Sequence, residues 1–216
     1  MLTTEGSRPL PDGRAGLDLA PHRSLHDRLR QETRAAHEAV EQAFDMVRAT
    51  ETVDTYVAAM MKMHAAYAGV HAALQAMPSA SGADAARSAK LAAERILGDL
   101  AFFGAHPGGI APSQMTLRDA GEALGCEYVM RGSSLGGLVI FKFAATRLGI
   151  TKEHGGSFFY GEGDATKSRW LDFQSRLSKV RDDDSFGDQV VLGALKTFDH
   201  FAMMLGERHR SHDQFG

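Results

Sequence analysis

Cys126 is the single cysteine in the sequence. An internal disulfide and every cysteine-pair metal motif are therefore excluded, and a reducing compartment is the expectation. No uninterrupted apolar run reaches about 18 residues, so nothing spans a bilayer as a helix. The opening residues MLTTEGSRPLPDGRAG lack the apolar core of a secretory signal, which points to the cytoplasm. Neither sign of charge dominates: 24 Lys and Arg against 27 Asp and Glu leave a formal net charge of −3. That balance gives no electrostatic case for nucleic acid or an anionic membrane as partner. Strand signals are nearly absent, with no Asn-Gly hairpin and no clean period-two alternation of useful length. No fixed-period repeat appears. No flavin or nicotinamide fingerprint is visible. The paired Glu-x-x-His motifs of a di-iron carboxylate bundle are missing as well.

What is present reads as one all-α domain. The 216 residues are 44% hydrophobic and 24% charged, enough for a single core. Residues 1–22 are expected to form a flexible leader, residues 23–210 the helical domain and residues 211–216 a frayed tail. A first helix is expected from Ser24, with Leu25, Leu29, Ala36, Val40, Phe44 and Val47 recurring at three- and four-residue spacing. A second starts near Thr52 or Asp54 and runs to Pro78. The third is ARSAKLAAERILGDLAFF, ended by GAHPGG. A fourth begins near Thr116 and continues to Leu148. KSRWLDFQSRLSKV and DQVVLGALKTFDHFAMML supply the last two.

On the first helix, Arg30, Thr33, His37, Glu41 and Phe44 fall within about 40° of one line. Arg30 precedes His37 by about 10 Å along the axis, a separation that suits one planar ligand with an acidic edge. A neutral imidazole is a good iron ligand when its other nitrogen is held, and Glu41 lies one turn on for that purpose. A histidine at a helix edge is, however, more often a half-buried structural residue.

The fourth helix carries GSSLGG at residues 132–137. Three interior glycines cost roughly 3 kcal/mol relative to alanine. Gly132 and Gly136 share a face, with Gly137 beside them and Tyr128 one turn earlier. One reading is a close helix–helix contact. A phosphate loop is disfavoured, because the preceding residues look helical rather than strand-like. The third reading is a ceiling without side chains, under which something flat approaches the backbone, with Ser133 and Ser134 holding water beside it.

Together these stretches resemble the heme oxygenase family, in particular the bacterial type associated with phytochromes. The resemblance rests on LRQETRAAHEAVEQ (29–42), LGCEYVMRGSSLGGLVI (124–140), GGSFFYGEG (155–163), Trp170 with Phe173, and TFDHFAMML (197–205), in family order. It implies a single-domain, all-α fold with heme sandwiched between a proximal and a distal helix. It also implies oxidative cleavage of heme to biliverdin, iron and carbon monoxide with oxygen. Electrons would come from an external donor such as ferredoxin or a reductase, and a bacterial phytochrome is the implied partner. By position, His37 corresponds to the proximal iron ligand, Arg30 to a basic residue at a heme propionate and Tyr128 to a tyrosine at that edge. Gly132, Gly136 and Gly137 correspond to the distal glycines over the ring. Two positions depart from the usual pattern. Ser133 stands where many members have Asp, although the phytochrome-associated branch resembles this sequence in having Ser there, and Leu138 stands where many have Gln. With water, Ser133 is expected to supply a proton. Arg176 is the expected fifth-helix propionate contact, with Lys167 and Arg169 as other candidates. The alternative is a non-catalytic heme-binding or regulatory protein of the same fold.

Other residues read as structural. Met60, Met61 and Met63 are packing residues, and His64 with His71 a surface pair. Cys126 is a buried thiol. His200, His209 and His212 are surface or frayed-end residues, and Asp182 to Asp184 a solvated turn.

Overall fold

The computed structural model describes residues 24–77, 82–111, 114–180 and 184–206. The expected leader and tail, with His209, His212, Asp182 and Asp183, lie outside the described residues. Nine helices form among them: α1 Leu25–Glu32, α2 Arg34–Ala43, α3 Met46–Ala49, α4 Val53–Gln75, α5 Ala83–Phe102, α6 Ala120–Leu148, α7 Ser157–Tyr160, α8 Ala165–Leu177 and α9 Asp184–Leu205. No strand accompanies them; a lone bridge joins Thr151 and Gly155. The all-α expectation holds.

The caps explain the boundaries. The Ser24 hydroxyl accepts from the Asp27 amide at 3.1 Å and starts α1. Thr52 and Thr55 form a reciprocal capping box at the start of α4. Asp119 caps α6 by accepting from the Glu122 amide at 2.9 Å, four residues later than the start expected at Thr116. Gly149, with φ of 68°, stops α6 in the left-handed conformation.

The expected first helix is three. At Thr33 the backbone turns to φ −100° and ψ 2°, ending α1 and opening α2. The Thr33 hydroxyl donates to the Leu29 carbonyl at 2.8 Å, the back-bonding that bends helices at threonine. Arg30 and His37 therefore do not share one straight axis. Apolar periodicity carries straight across the break, which is why the sequence pattern does not show it.

Two helices that run side by side in the same direction, α6 and α9, form the spine. Their backbones touch. A Cβ built on Gly125 would lie 2.0 Å from the Val190 carbonyl oxygen, and one on Gly193 would lie 2.1 Å from the Glu122 carbonyl oxygen. Beside this contact the buried Glu122 carboxylate receives Lys196 Nζ at 2.7 Å on both oxygens and the Arg118 amide at 2.9 Å. Paired and hydrogen-bonded, that buried charge is tolerated. Cys126 lies fully buried on the same helix, its thiol pushed up to about 12 by burial.

His200 corrects an expectation. It is 3% exposed, and its Nε2 donates to the Ala66 carbonyl on α4 at 2.9 Å. Position near the chain end hid its role as a cross-helix tie. His71 likewise bonds through Nδ1 to the Ala86 carbonyl on α5 at 3.0 Å.

The α6–α9 contact yields a stability prediction. Gly193→Ala forces the two backbones apart and should cost about 3 kcal/mol, read from the denaturant midpoint. A loss under about 1 kcal/mol would show that the helices have slack there.

Candidate functional site

α2 is unusual among the longer helices: none of its residues is buried. Its sequence is amphipathic, yet its apolar residues Ala36, Val40 and Ala43 are only half-buried against the core. Beneath it a cavity of about 730 Å³ extends toward α6, within the range of roughly 300–1,000 Å³ common for small-molecule sites. His37 and Val40 of α2 and Phe44 at its C-terminal cap line one side; Gly132, Ser133, Gly136 and Gly137 of α6 line another. Met63, Tyr67, Phe158, Phe159 and Phe201 supply an apolar interior. A second recess of about 630 Å³, lined by Arg30, Thr33, His37, Glu41 and Tyr128, adjoins it. His37, Glu41, Tyr128 and Phe198 line both spaces.

Here the histidine and the glycine segment are brought together. His37 has a side chain 55% exposed and stacks edgewise on Phe198, with centroids 5.6 Å apart. Its Nδ1 lies 3.7 Å from a Glu41 carboxylate oxygen, just beyond a hydrogen bond but close enough to favour a proton on that nitrogen. Nε2 is then the free donor atom. Arg30 stands across the Thr33 break and still reaches the same recess. No carboxylate pairs with it among the described residues. Burial raises the Tyr128 hydroxyl above its ordinary value, while its bond to Thr33 and the nearby Arg30 charge pull it back down.

The three glycines differ in what surrounds them. A Cβ on Gly136 would meet nothing within 4 Å. One on Gly132 would touch only the Trp170 ring, at 3.8 Å. One on Gly137 would lie 3.1 Å from the Phe159 carbonyl oxygen. Gly137 is thus a packing glycine that admits α7, and the helix-contact reading is right for it. That short helix is pinned from α5: the buried Asp99 carboxylate accepts the Ser157 amide at 2.9 Å and the Phe158 amide at 2.8 Å. Leu138 is not among the cavity-lining residues.

Ser133 donates to the Met130 carbonyl at 2.9 Å, which commits its proton to the helix. Its oxygen then accepts from the Tyr67 hydroxyl at 3.4 Å. Tyr67 is buried, and burial raises its hydroxyl, so it stays protonated at neutral pH. Nothing in the sequence around Tyr67 distinguishes it from a core tyrosine; only the α4–α6 packing reveals the pair. One cavity-lining hydroxyl, Thr166 Oγ1, is buried without a partner. An orphaned buried hydroxyl of this kind costs about 1–3 kcal/mol and suits a site that receives a polar group or a water.

Arg176 falls outside the cavity. Its guanidinium bonds to Glu127 at 2.8 Å and lies over Phe173, and the Glu127 carboxylate also takes Arg131 at 2.6 Å. A cation already neutralised at this distance is a poor anchor for a ligand carboxylate. Arg169, which pairs with Glu162 at 2.5 Å, and the unpaired Arg95 of α5 do line the space. Lys167 is exposed on α8 and does not.

The heme oxygenase family model matches residues 111–207, which include α6 to α9 and exclude the His37 helix. Among solved structures, the NO- and CO-bound heme oxygenase from Neisseria meningitidis superposes with a TM-score of 0.70 at 19% identity. The match covers 84% of this chain and 90% of that one. This is the heme oxygenase fold. Heme oxygenase 2 from Chlamydomonas reinhardtii, solved without heme, gives 0.65 at 15% identity over 84% and 96% of the two chains. The Leptospira interrogans heme oxygenase gives 0.61 at 17%, over 84% and 98%. No curated protein sequence matches. Among the described residues no helix is long and apolar enough to cross a membrane.

The glycines of this heme oxygenase fold separate by stability. Gly136→Ala should stabilise the ligand-free protein by roughly 0.5–1 kcal/mol, since the added methyl meets open space and favours the helix. Gly137→Ala should gain nothing or lose stability, because α7 must shift. Equal denaturant midpoints for the two variants would contradict this division.

Proposed function

We propose that the cavity between α2 and α6 takes heme and that the chain is an enzyme that opens it oxidatively to biliverdin, iron and carbon monoxide. The observation that carries this reading is the pairing of a free imidazole on a half-covered helix with an open backbone stretch at Gly136. A flat ring is the shape such a gap accepts.

The residues fit the group. His37 Nε2 is the atom positioned to ligate iron, with Glu41 orienting the ring through Nδ1. Arg30, unpaired in the adjoining recess, suits a propionate, and Tyr128 lies beside it. Arg95, which lines the cavity with no carboxylate partner among the described residues, is better placed than Arg176 or Arg169 for a second propionate. When bound, heme supplies the iron at which oxygen is activated and is itself the substrate. Phe158, Phe159, Phe201 and Met63 exclude water from the ring face. Tyr67 holds a proton against Ser133, and Ser133 keeps an acceptor lone pair for a water. The proton expected of Ser133 is therefore better assigned to Tyr67, with Ser133 relaying its position.

Electrons come from an external donor, a ferredoxin or a reductase. We place the reaction in the cytoplasm, with bilin supply to a bacterial phytochrome as its use, a reading supported by the branch resemblance of the glycine segment. A second reading, a heme-binding protein without turnover, draws on one observation: the Ser133 proton is spent on the Met130 carbonyl.

Hemin should bind one to one with a histidine-ligated absorbance spectrum, and His37→Ala should lose that spectrum and weaken binding at least tenfold, about 1.4 kcal/mol. Unchanged ligation in the variant would remove His37 from the site. With oxygen and a reductant the bound hemin should give way to bilin absorbance. Hemin that persists unopened supports the second reading. Tyr67→Phe should slow bilin formation at least tenfold while leaving hemin affinity within a few-fold.

A further inference from the structure

The open stretch of α6 backbone is one residue wide. At its far end the Phe159 main chain presses on Gly137; at its near end the six-membered ring of Trp170 reaches Gly132, with Cζ3 and Cη2 each 3.8 Å from the Cβ position. Trp170 is half-buried, lines the cavity and projects from α8, not from α6 itself. It is also held. Its ring lies 5.7 Å from Tyr128, 5.8 Å from Phe173 and 6.1 Å from His26, centroid to centroid. His26 in turn accepts from the Gln174 amide at 2.8 Å, one turn further along α8. An indole clamped on three sides is a wall and not a swinging lid.

We propose that Trp170 is a specificity-determining residue: it covers Gly132, confines the bound ring to Gly136 and so fixes how that ring is turned in its own plane. The inference rests on the heme reading above. A heme ring has a chemically uneven rim, with two carboxylate-bearing corners and an otherwise apolar edge. Several rotations leave the iron under His37. The Arg30 charge selects among them by attraction, whereas Trp170 selects by exclusion, filling the space over Gly132 that a peripheral substituent would otherwise take. Differences of one or two methyl-sized contacts decide seating by about tenfold, so one aromatic wall is sufficient. Because the bridge to be cut depends on that rotation, Trp170 acts as a positioning residue for the product isomer.

Trp170 is the single tryptophan of the chain, which makes it its own reporter. Hemin added to the full-length wild-type protein should quench tryptophan emission in step with the histidine-ligated absorbance. Proton NMR of the complex should show one dominant set of shifted ring-methyl signals. In Trp170→Ala a second set should rise about tenfold in population, with histidine ligation retained, and the bilin should become a mixture of isomers. Trp170→Phe, which keeps the aromatic cluster but lacks the outer atoms that reach Gly132, should show the same change if the alanine variant folds poorly. An unchanged single set in a folded variant overturns the assignment of Trp170 while leaving the heme reading standing. Emission that survives saturation with hemin also overturns it. Failure of the wild-type protein to bind hemin at all removes the heme reading, and this inference with it.

Discussion

The main-chain contact between α6 and α9 is the constraint on which the remaining structure depends. With no Cβ at Gly125 or Gly193, carbonyl oxygens sit where side chains would otherwise stand, and the two longest-packed helices lock at their N-terminal and central turns. The Glu122–Lys196 pair seals the same region with charge. Everything N-terminal to Met130 on α6 is consequently tight. From Arg131 onward the helix leaves that embrace, and its exposure rises at once. One continuous helix thus serves as core at one end and as cavity wall at the other, and α9 follows it into the wall with Phe198 and Phe201.

α7 and α8 close the open half. The Asp99 carboxylate gathers two amides of α7 and so aims Phe158 and Phe159 into the space. α8 contributes Thr166, Arg169 and Trp170 from a single face at three- and four-residue spacing. The result is a chamber with an apolar interior, a rim of mixed charge on which Arg95 has no carboxylate partner among the described residues, and one exposed strip of backbone. The heme proposed for this space would meet the apolar interior with its plane and the unpaired arginines with its acidic corners.

Much of this was legible in the sequence, and the misses have physical causes. The all-α class follows from periodicity, and the meeting of His37 with the glycine segment was implied by the family resemblance; both line one cavity. The Thr33 break did not show, because a single back-bonded threonine leaves the apolar pattern intact. The pairing of Arg176 did not show, because sequence spacing locates a cation on a helix but not the carboxylate that claims it; Glu127 lies 49 residues away. Tyr67 and His200 looked ordinary for the same reason: their partners, Ser133 and the Ala66 carbonyl, belong to other helices. The division of labour among Gly132, Gly136 and Gly137 needed neighbours that no local pattern encodes.

The half-covered state of α2 has a thermodynamic corollary. A ten-residue helix is marginal on its own in water and draws its stability from burial, which the protein alone provides only in part here, since Ala36, Val40 and Ala43 are half-buried and none is fully so. Whatever fills the chamber therefore does two things with one free energy: it is captured, and it anneals the segment that captures it. Amide hydrogen exchange in α2 should accordingly be the fastest among the longer helices in the empty protein, and its slowing on saturation should exceed that of the α6–α9 spine. Affinity measured for the whole molecule then contains the ordering of α2 as a hidden deduction, so substitutions that stiffen this helix without touching the chamber tighten binding.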